Sequence, residues 1–300
     1  MGLFKTIKNS LAFRSANFYR VLLSIMPILP KRKKEKDENI LVFLTGNKQV
    51  PMLRESLYSF YASNSKLPSI KIFTDGTISK EKLTQLFKWY PNSLQIIEKE
   101  DCISYHRTKR RDSLVRFAEI NPMGLKLAAI VQVADNSPCF YCDTDILAFN
   151  SLEKLITKTS LCIAKDYLCM SRDYQAAYDE HIQKKYFPNL NQSPFYCAGF
   201  LSLSGNILQL PMMDAILEDC CKQSNHFTEQ TIFAGLNRTY FNQHWDDELI
   251  TIYQDDQQSL APTYLKKEWV ARHYVGAFRH LFWRDAFFLR IGYRSKQLQN

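Results

Sequence analysis

Long apolar runs are missing from this 300-residue sequence. Its most apolar stretch, residues 21–29, has nine residues and contains Pro27, whereas a helix that spans a bilayer needs about 20 apolar residues. This length excludes a transmembrane helix in that stretch. We also expect no cleaved signal peptide, because the stretch lacks a small-residue cleavage site and the basic cluster at residues 31–34 follows at once.

Net positive charge is small outside the N-terminal segment. Residues 1–38 carry nine basic and three acidic side chains, which leaves only +3 of the formal net charge of +9 for the other 262 residues. A nucleic-acid-binding core would carry its charge on the folded face, so we expect no nucleic-acid partner. The segment itself mixes apolar and basic residues, as helices in a membrane interface do. The alternative is a helix packed on the domain and followed by a charged linker.

Cysteine spacings typical of metal sites are also missing. Among the eight cysteines, Cys139 and Cys142 form a single C-x-x-C with no second pair, inside a stretch that is typical of a buried strand. We therefore expect free thiols in a reducing compartment. The protein is expected to be cytoplasmic, with residues 1–38 as a peripheral membrane segment at the cytoplasmic face and residues 39–300 as the folded domain.

Strand and helix patterns alternate through the first half of the domain. Apolar stretches at residues 39–45, 69–74, 94–97 and 138–142 predict strands, and helical spacing predicts helices at 51–61, 79–89 and 122–133. This alternation predicts an α/β fold in which a mixed, mostly parallel sheet is flanked by helices on both faces. The second half is less regular. It has predicted strands at 161–164, 195–203 and 269–276, and predicted helices at 151–158, 206–221, 229–236 and 278–289.

Two carboxylates, Asp143 and Asp145, follow the strand predicted at residues 138–142. Residues two apart in an extended chain point the same way, so these side chains should project together. Carboxylates are ligands for hard divalent cations, and Mg²⁺ commonly combines one or two of them with substrate phosphates. The pair therefore predicts a metal-diphosphate site, and the alternative is a solvated acidic turn.

The ends of the first two predicted strands carry Thr45 and Asp75. In open, mostly parallel sheets, ligands bind beyond the carboxyl ends of the strands. Both residues are therefore expected in the same crevice as the Asp pair, with the Asp75 carboxylate as a partner for a base or a ribose hydroxyl. The alternative for Asp75 is a plain Asp-Gly turn.

Four motifs within residues 39–285 together resemble the nucleotide-sugar glycosyltransferases of the GT-A fold, most closely the retaining family 8, which includes glycogenin and galactosyltransferase-like enzymes. These motifs are Asp143-x-Asp145, Cys197-Ala198-Gly199, Glu229-Gln230 and His273-x-x-Gly276-x-x-Arg279. The resemblance implies one GT-A domain and a hexosyltransferase activity. This activity is the metal-dependent transfer of a sugar from a nucleotide-diphosphate sugar, a UDP-sugar, to a glycan or lipid-linked acceptor, with retention.

The resemblance also implies roles for single residues. Asp143, Asp145 and His273 would hold Mn²⁺ or Mg²⁺ on the donor diphosphate. Gln230 would stabilise the reacting centre, with Glu229 orienting the sugar as an alternative. The predicted donor-binding residues are Thr45, Asp75, Lys126, Ala198, Gly199, Gly276 and Arg279.

The sequence departs from the family pattern in several places: Cys197 replaces an Asn expected at the donor sugar, Thr231 replaces an acid, Arg279 replaces a Lys, and the Pro-Trp that follows this Lys in the family is absent. The change at Cys197 favours one alternative, a non-catalytic nucleotide-sugar or glycan-binding module of the same fold. A second alternative is a phosphohydrolase with Asp143 as nucleophile and Asp145 as acid.

Overall fold

The computed structural model describes residues 2–28, 34–159, 166–252, 260, 262 and 269–292, so the strand predicted at 161–164 lies outside the described residues. The first half of the chain contains α1 (Gly2–Ile25), β1 (Glu35–Thr45), α2 (Val50–Ser63), β2 (Lys66–Thr74), α3 (Lys80–Phe87), β3 (Leu94–Ile97), α4 (Lys99–Thr108), α5 (Asp112–Ile120), α6 (Pro122–Ala134) and β4 (Cys139–Cys142). The predicted alternation is confirmed. Helices α4 and α5 occupy a stretch in which the sequence pattern predicts no element.

The second half contains β5 (Ile146–Ala148), α7 (Glu153–Thr159), β6 (Tyr167–Asp173), α8 (Glu180–Tyr186), β7 (Phe195–Ser204), α9 (Met213–Lys222), α10 (Thr228–Leu236), β8 (Gln243–Trp245), β9 (Ile250–Thr251), β10 (Ala271–His273) and α11 (Arg279–Arg290). The helix expected from residue 206 starts later, at Met213, after a short 3-10 turn at Ile207–Gln209. Pro211 separates the two, since proline lacks the N–H that a continuous helix requires.

Seven of the described strands form one sheet in the order β3-β2-β1-β4-β7-β6-β8. Only β7 runs antiparallel to its neighbours, β4 and β6, and the other four pairings are parallel. This confirms the predicted mixed, mostly parallel sheet. Strands β5, β10 and β9 form a second, smaller sheet.

Helices cover both faces of the large sheet, as predicted. Along β1, Val42 joins the core under α5, α6, α9 and α10, whereas Leu41 and Phe43 join the core under α2 and α3. Alternate side chains of a strand point to opposite faces, so one apolar run supplies both layers. A strand buried on both faces needs the continuous apolar sequence that identifies β1 and β4.

The N-terminal helix packs on the domain. Leu23 of α1 lies in a third apolar cluster with Leu147 of β5 and with Phe282 of α11. Arg54 of α2 donates a hydrogen bond to the Leu23 carbonyl, at 2.8 Å. Strand β1 starts at Glu35, ahead of the predicted domain boundary, and that boundary stays a prediction. Among the residues that the structure describes, none of the helices combines the length and apolar character needed to cross a bilayer.

Candidate active site

The site starts from the two carboxylates that follow β4. Strand β4 is antiparallel to β7, with Cys142 opposite Phe200, and the Asp143 amide donates to the Gly199 carbonyl at 2.7 Å. Asp143 is partly exposed, with 30% of its side chain accessible, whereas Asp145 is buried, with 9% accessible. The β4–β7 pairing thus fixes where the Asp-x-Asp leaves the sheet.

The pairing of β5 with β10 brings His273 to the carboxylates. His273 lies opposite Ile146 in this antiparallel pair, although 128 residues separate it from Asp145 in sequence. Its Nε2 lies 3.2 Å from Oδ1 of Asp145 and 3.9 Å from Oδ2 of Asp143. One ligand atom from each of the three residues lies within 4.8 Å of the other two.

Two residues of β7 fix the His273 ring from the other side. The Cys197 sulfur lies 3.4 Å from Nδ1, which leaves Nε2 directed at the carboxylates. A Cβ atom at Gly199 would lie 2.0 Å from Cε1 of His273, so only glycine leaves room for the ring. Histidines that bind metals commonly engage their second nitrogen in this way, which fixes the ring orientation.

Replacing Gly199 with Ala is expected to displace the His273 ring and to weaken Mn²⁺ binding by on the order of 100-fold. The reason is the 2.0 Å separation between the added methyl and the ring, which no rotation of a methyl group relieves. Mn²⁺ affinity can be measured by electron paramagnetic resonance. Gly292→Ala is the control for a steric clash, since nothing lies within 4 Å of the added methyl and the only strain there is the positive φ of +74°. Equal Mn²⁺ affinity in the Gly199→Ala variant and the wild type would contradict this placement of His273.

Two cations border the carboxylates. Arg279 contacts Oδ2 of Asp145 at 2.9 Å, and 57% of the Arg279 side chain is exposed. The Lys126 ammonium lies 3.2 Å from Asp143 and 2.7 Å from Glu229, and it is buried. Both cations therefore lie where a bound anion would be attracted.

Burial and these charges oppose each other in setting the pKa values. Burial alone would raise the pKa of Asp145, but His273 and Arg279 lower it, so this carboxylate stays ionised at neutral pH. Burial lowers the pKa of Lys126, yet Asp143 and Glu229 raise it above its ordinary value. Burial raises the pKa of Glu229 although Lys126 opposes that shift. For His273, burial lowers the pKa, while Cys197 and Asp145 bring it well above the ordinary range.

A cleft of about 270 Å³ contains the exposed parts of this cluster. Its lining residues are Leu44, Thr45, Gly46, Gln49, Asp75, Pro122, Met123, Lys126, Tyr141, Asp143, Asp145 and Arg279. Thr45 and Asp75 come together because β1 and β2 are paired in register, and the Asp75 amide donates to the Thr45 carbonyl at 3.0 Å. The Asp75 carboxylate also accepts hydrogen bonds from the amide and the hydroxyl of Thr77. The same side chain therefore stabilises the Asp-Gly turn and lines the cleft.

The other predicted residues are not among those that line this cleft. Glu229 lies behind Lys126 with 2% of its side chain exposed. Gln230 accepts a hydrogen bond from the Ala198 amide at 3.2 Å and donates to the Ala177 carbonyl at 2.8 Å. Gly276 precedes α11 with a φ of +50° and open space around it. Their catalytic and binding roles stay predictions.

The three-residue cluster fits a divalent cation. Two carboxylates and one imidazole form the mixed oxygen and nitrogen set that Mn²⁺ accepts, and two carboxylates are within the usual number for Mg²⁺. The converging atoms come from buried or half-buried residues, Asp143, Asp145 and His273, instead of from a loose acidic surface. Because ligating groups must be deprotonated, a divalent cation and a proton compete for Nε2 of His273.

A larger cavity of about 470 Å³ lies elsewhere, beside α5 and α9. The acidic and basic residues there include Arg116 and Glu218, which form an exposed ion pair. We place the site at the smaller cleft because the buried titratable groups converge there, and size alone does not define a site.

Two residues of the site were missed from sequence. The Tyr141 hydroxyl donates to Asp143 at 2.7 Å, and the Lys126 ammonium lies 4.7 Å from the centre of the Tyr141 ring. Tyr141 lies on β4 two residues before Asp143, so the alternation of side chains along an extended chain was available to identify it. In the sequence, Cys197 stands out only as a departure at the donor sugar, because its contact with His273 depends on the pairing of β5 with β10.

Comparison with solved structures shows that this is the fold of GT-A glycosyltransferases. Mouse xyloside xylosyltransferase 1, in its apo form, matches with a TM-score of 0.53 and 12% identity, over 79% of this chain and 97% of that chain. The apo structure of WbbM, a bifunctional glycosyltransferase, matches with a TM-score of 0.53 and 12% identity. The match covers 89% of this chain but only 52% of the WbbM chain. No protein-family model and no curated protein sequence matches this chain.

Proposed function

We propose that the chain is a hexosyltransferase that transfers a sugar from a UDP-sugar to a glycan or lipid-linked acceptor, with the help of a divalent metal ion and with retention. The observation that carries the proposal is the convergence of Asp143, Asp145 and His273 in a cleft of this fold. Both compared structures with this fold are glycosyltransferases by their names, a xylosyltransferase and a bifunctional enzyme.

Asp143, Asp145 and His273 would hold the Mn²⁺ or Mg²⁺ ion. When bound, such an ion supplies positive charge for the diphosphate that departs from the sugar. Arg279, exposed at the mouth of the cleft, supplies a further positive charge to the phosphates, and its hydrogen bonds to Asp145 hold the guanidinium beside that position. Fixed charges of this kind stabilise the transition state because they need no reorganisation as charge develops.

Lys126 is held in place by two carboxylates and one ring. Glu229 and Asp143 pair with its ammonium, which lies against Tyr141, so the cation is oriented before any donor arrives. We assign Lys126 to donor binding and Glu229 to positioning Lys126. This favours Gln230 over Glu229 as the group that faces the donor sugar, next to Ala198 and Gly199.

Thr45 and Asp75 line the same cleft, and we assign them to the nucleoside of the donor. The retaining course follows from the family resemblance. In it, the acceptor hydroxyl oxygen forms a bond to the anomeric carbon on the face from which the diphosphate departs. The bond between that carbon and the diphosphate oxygen breaks, and the diphosphate takes the acceptor proton. The Gln230 carboxamide, fixed at both ends by backbone groups, would stabilise the positive charge that develops at the anomeric carbon.

A cytoplasmic location belongs to this proposal. The seven cysteines among the described residues are free, and six of them are buried. Unpaired thiols in such number are typical of a reducing compartment.

A screen of nucleotide sugars for Mn²⁺-dependent hydrolysis tests the proposal. We expect release of UDP from one UDP-sugar when Mn²⁺ is present and no release when EDTA replaces it, since the leaving diphosphate needs the ion. Tight binding of nucleotides without turnover for any donor would instead support the binding module. Release of inorganic phosphate in place of UDP would support the phosphohydrolase.

A further inference from the structure

Helix α1 runs in the same direction as α11. The Phe13 ring lies 5.6 Å from the His280 ring near the start of α11. Thirteen residues later in α1 and its extension, the Met26 carbonyl accepts a hydrogen bond from Arg290 at the end of α11, at 2.8 Å. The contacts advance together along both helices, so the helices lie parallel.

This alignment makes α1 extend beyond the active-site end of α11. Helix α11 begins at Arg279, whereas α1 already begins at Gly2. At 1.5 Å per residue, residues 2–12 extend about 16 Å beyond the start of α11. That is the end of α11 at which Arg279 contacts Asp145. The N-terminal part of α1, which includes Leu11, therefore lies at the end of α11 that contacts the site, whereas Phe18, Val21 and Ile25 lie beside α11 itself.

The face of α1 that points away from α11 exposes apolar side chains together with Arg14. At intervals of seven, three and four residues, it carries four side chains that are 51–73% exposed: Leu11, Phe18, Val21 and Ile25. These intervals place all four on one side of a helix. The opposite side of α1 carries the buried residues Ala12, Ala16 and Leu23. We refer to Leu11, Phe18, Val21 and Ile25 as the exposed stripe.

The charge of α1 identifies the partner that fits the stripe. The helix sequence contains Lys5, Lys8, Arg14 and Arg20, and it has no acidic residue. Two copies of this helix would repel each other, whereas an anionic lipid surface attracts basic residues and accommodates apolar ones. Since α1 is not apolar enough to cross a bilayer, it would lie in the plane of the surface.

We propose that α1 is a membrane-interface helix whose exposed stripe inserts into anionic lipid and holds the cleft at the membrane surface. On the basis of the proposed function, the acceptor is then a lipid-linked sugar. The geometry supports this choice between the two acceptor classes, because α1 extends on the side of the fold where Arg279 reaches the carboxylates.

Sedimentation of the 300-residue protein with phosphatidylcholine vesicles, with and without 30% phosphatidylserine, tests the lipid contact. We expect the wild type to bind the anionic vesicles and the Phe18→Glu/Ile25→Glu variant to bind at least tenfold more weakly. The control is Leu86→Glu/Ile120→Glu, which adds the same charge at two exposed apolar residues of α3 and α5. Absence of vesicle binding by the wild type would overturn the proposal, as would equal binding by both variants. A wild-type dimer that the stripe variant dissociates would show a self-contact instead.

The acceptor class is tested by offering one sugar in two forms, as an octyl glycoside in solution and as a dialkylglycerol glycoside in anionic vesicles. We expect the stripe variant to lose at least tenfold in transfer to the vesicle form while hydrolysis of the donor in solution stays within twofold. If the wild type does not hydrolyse the donor at all, the proposed function is refuted, but the lipid contact is not. Equal transfer to both forms, or none to the vesicle form while hydrolysis continues, would count against a lipid-linked acceptor.

Discussion

Asp143→Asn is expected to lower turnover of the donor by about a thousandfold or more, which corresponds to about 4 kcal/mol of transition-state stabilisation. The substitution keeps the shape of the side chain but removes the negative charge that a divalent ion requires. It should leave the fold intact, because 30% of the Asp143 side chain is exposed and the Tyr141 hydroxyl can still donate to the amide oxygen. Release of UDP under saturating Mn²⁺ measures the effect.

The matched control is Asp101→Asn, which makes the same change at an exposed acid of α4. Its turnover should equal that of the wild type. The melting temperature and the circular dichroism spectrum of the Asp143 variant establish that it is folded. A folded Asp143→Asn enzyme with turnover within tenfold of wild type would show that Asp143 does not hold the ion.

Lys126→Met is expected to destabilise the protein by about 3–5 kcal/mol, because it leaves the Glu229 carboxylate buried without its cation. Glu229 is 2% exposed, and its oxygen lies 2.7 Å from the Lys126 ammonium. Adding Glu229→Gln to the Lys126→Met variant should recover part of this loss, since the neutral amide no longer needs a counter-charge. Urea unfolding of the two single variants and of the double variant gives the coupling between the residues.

The pH dependence of stability provides a second measurement on the Lys126→Met variant. Burial raises the pKa of Glu229 in the folded protein, and removal of Lys126 takes away the charge that opposes this shift. A carboxyl with a raised folded-state pKa loses stability as pH rises from its unfolded pKa through its folded pKa. The variant should therefore be less stable at pH 8 than at pH 5, relative to wild type.

An exposed ion pair provides the control for this comparison of single and double variants. Glu180 and Lys184 form an ion pair on α8 with 77% and 74% of their side chains exposed. Solvent screens such a pair, so Lys184→Met and Glu180→Gln should show no measurable coupling. Strictly additive effects of Lys126→Met and Glu229→Gln would mean that the two residues do not depend on each other in the folded protein.

The sequence was sufficient for the elements that local pattern determines. Strand β3 and helix α10 lie where apolar spacing predicts them, and the Asp-x-Asp follows β4. The antiparallel direction of β7 could not be predicted from apolar spacing, because a buried strand has a continuous apolar sequence whether it pairs parallel or antiparallel. The orientation of α1 was also not predicted, because the sequence of an amphipathic helix does not determine which element it packs against or in which direction.

The candidate site likewise contains residues that local sequence predicts and contacts that it does not predict. The position of Asp143 and Asp145 directly after β4 was predicted from local sequence, but the structure has a turn at Thr144 and Asp145 instead of the continued strand that the prediction assumed. His273 was assigned only through the family resemblance, because its contact with Asp145 depends on the antiparallel pairing of β5 and β10. Lys126 was predicted as a donor-binding residue, but its pairing with Glu229 joins two helices about one hundred residues apart in sequence and was not predicted. Contacts of this kind are set by tertiary packing, which periodicity does not encode.

Calorimetric titration of UDP into the protein tests the central claim, that a divalent ion held by Asp143, Asp145 and His273 binds the diphosphate. With Mn²⁺ present, UDP should bind the wild type at least tenfold more tightly than with EDTA, about 1.4 kcal/mol or more. In Asp145→Asn this difference should disappear. Equal affinity of the wild type for UDP with Mn²⁺ and with EDTA would contradict the claim.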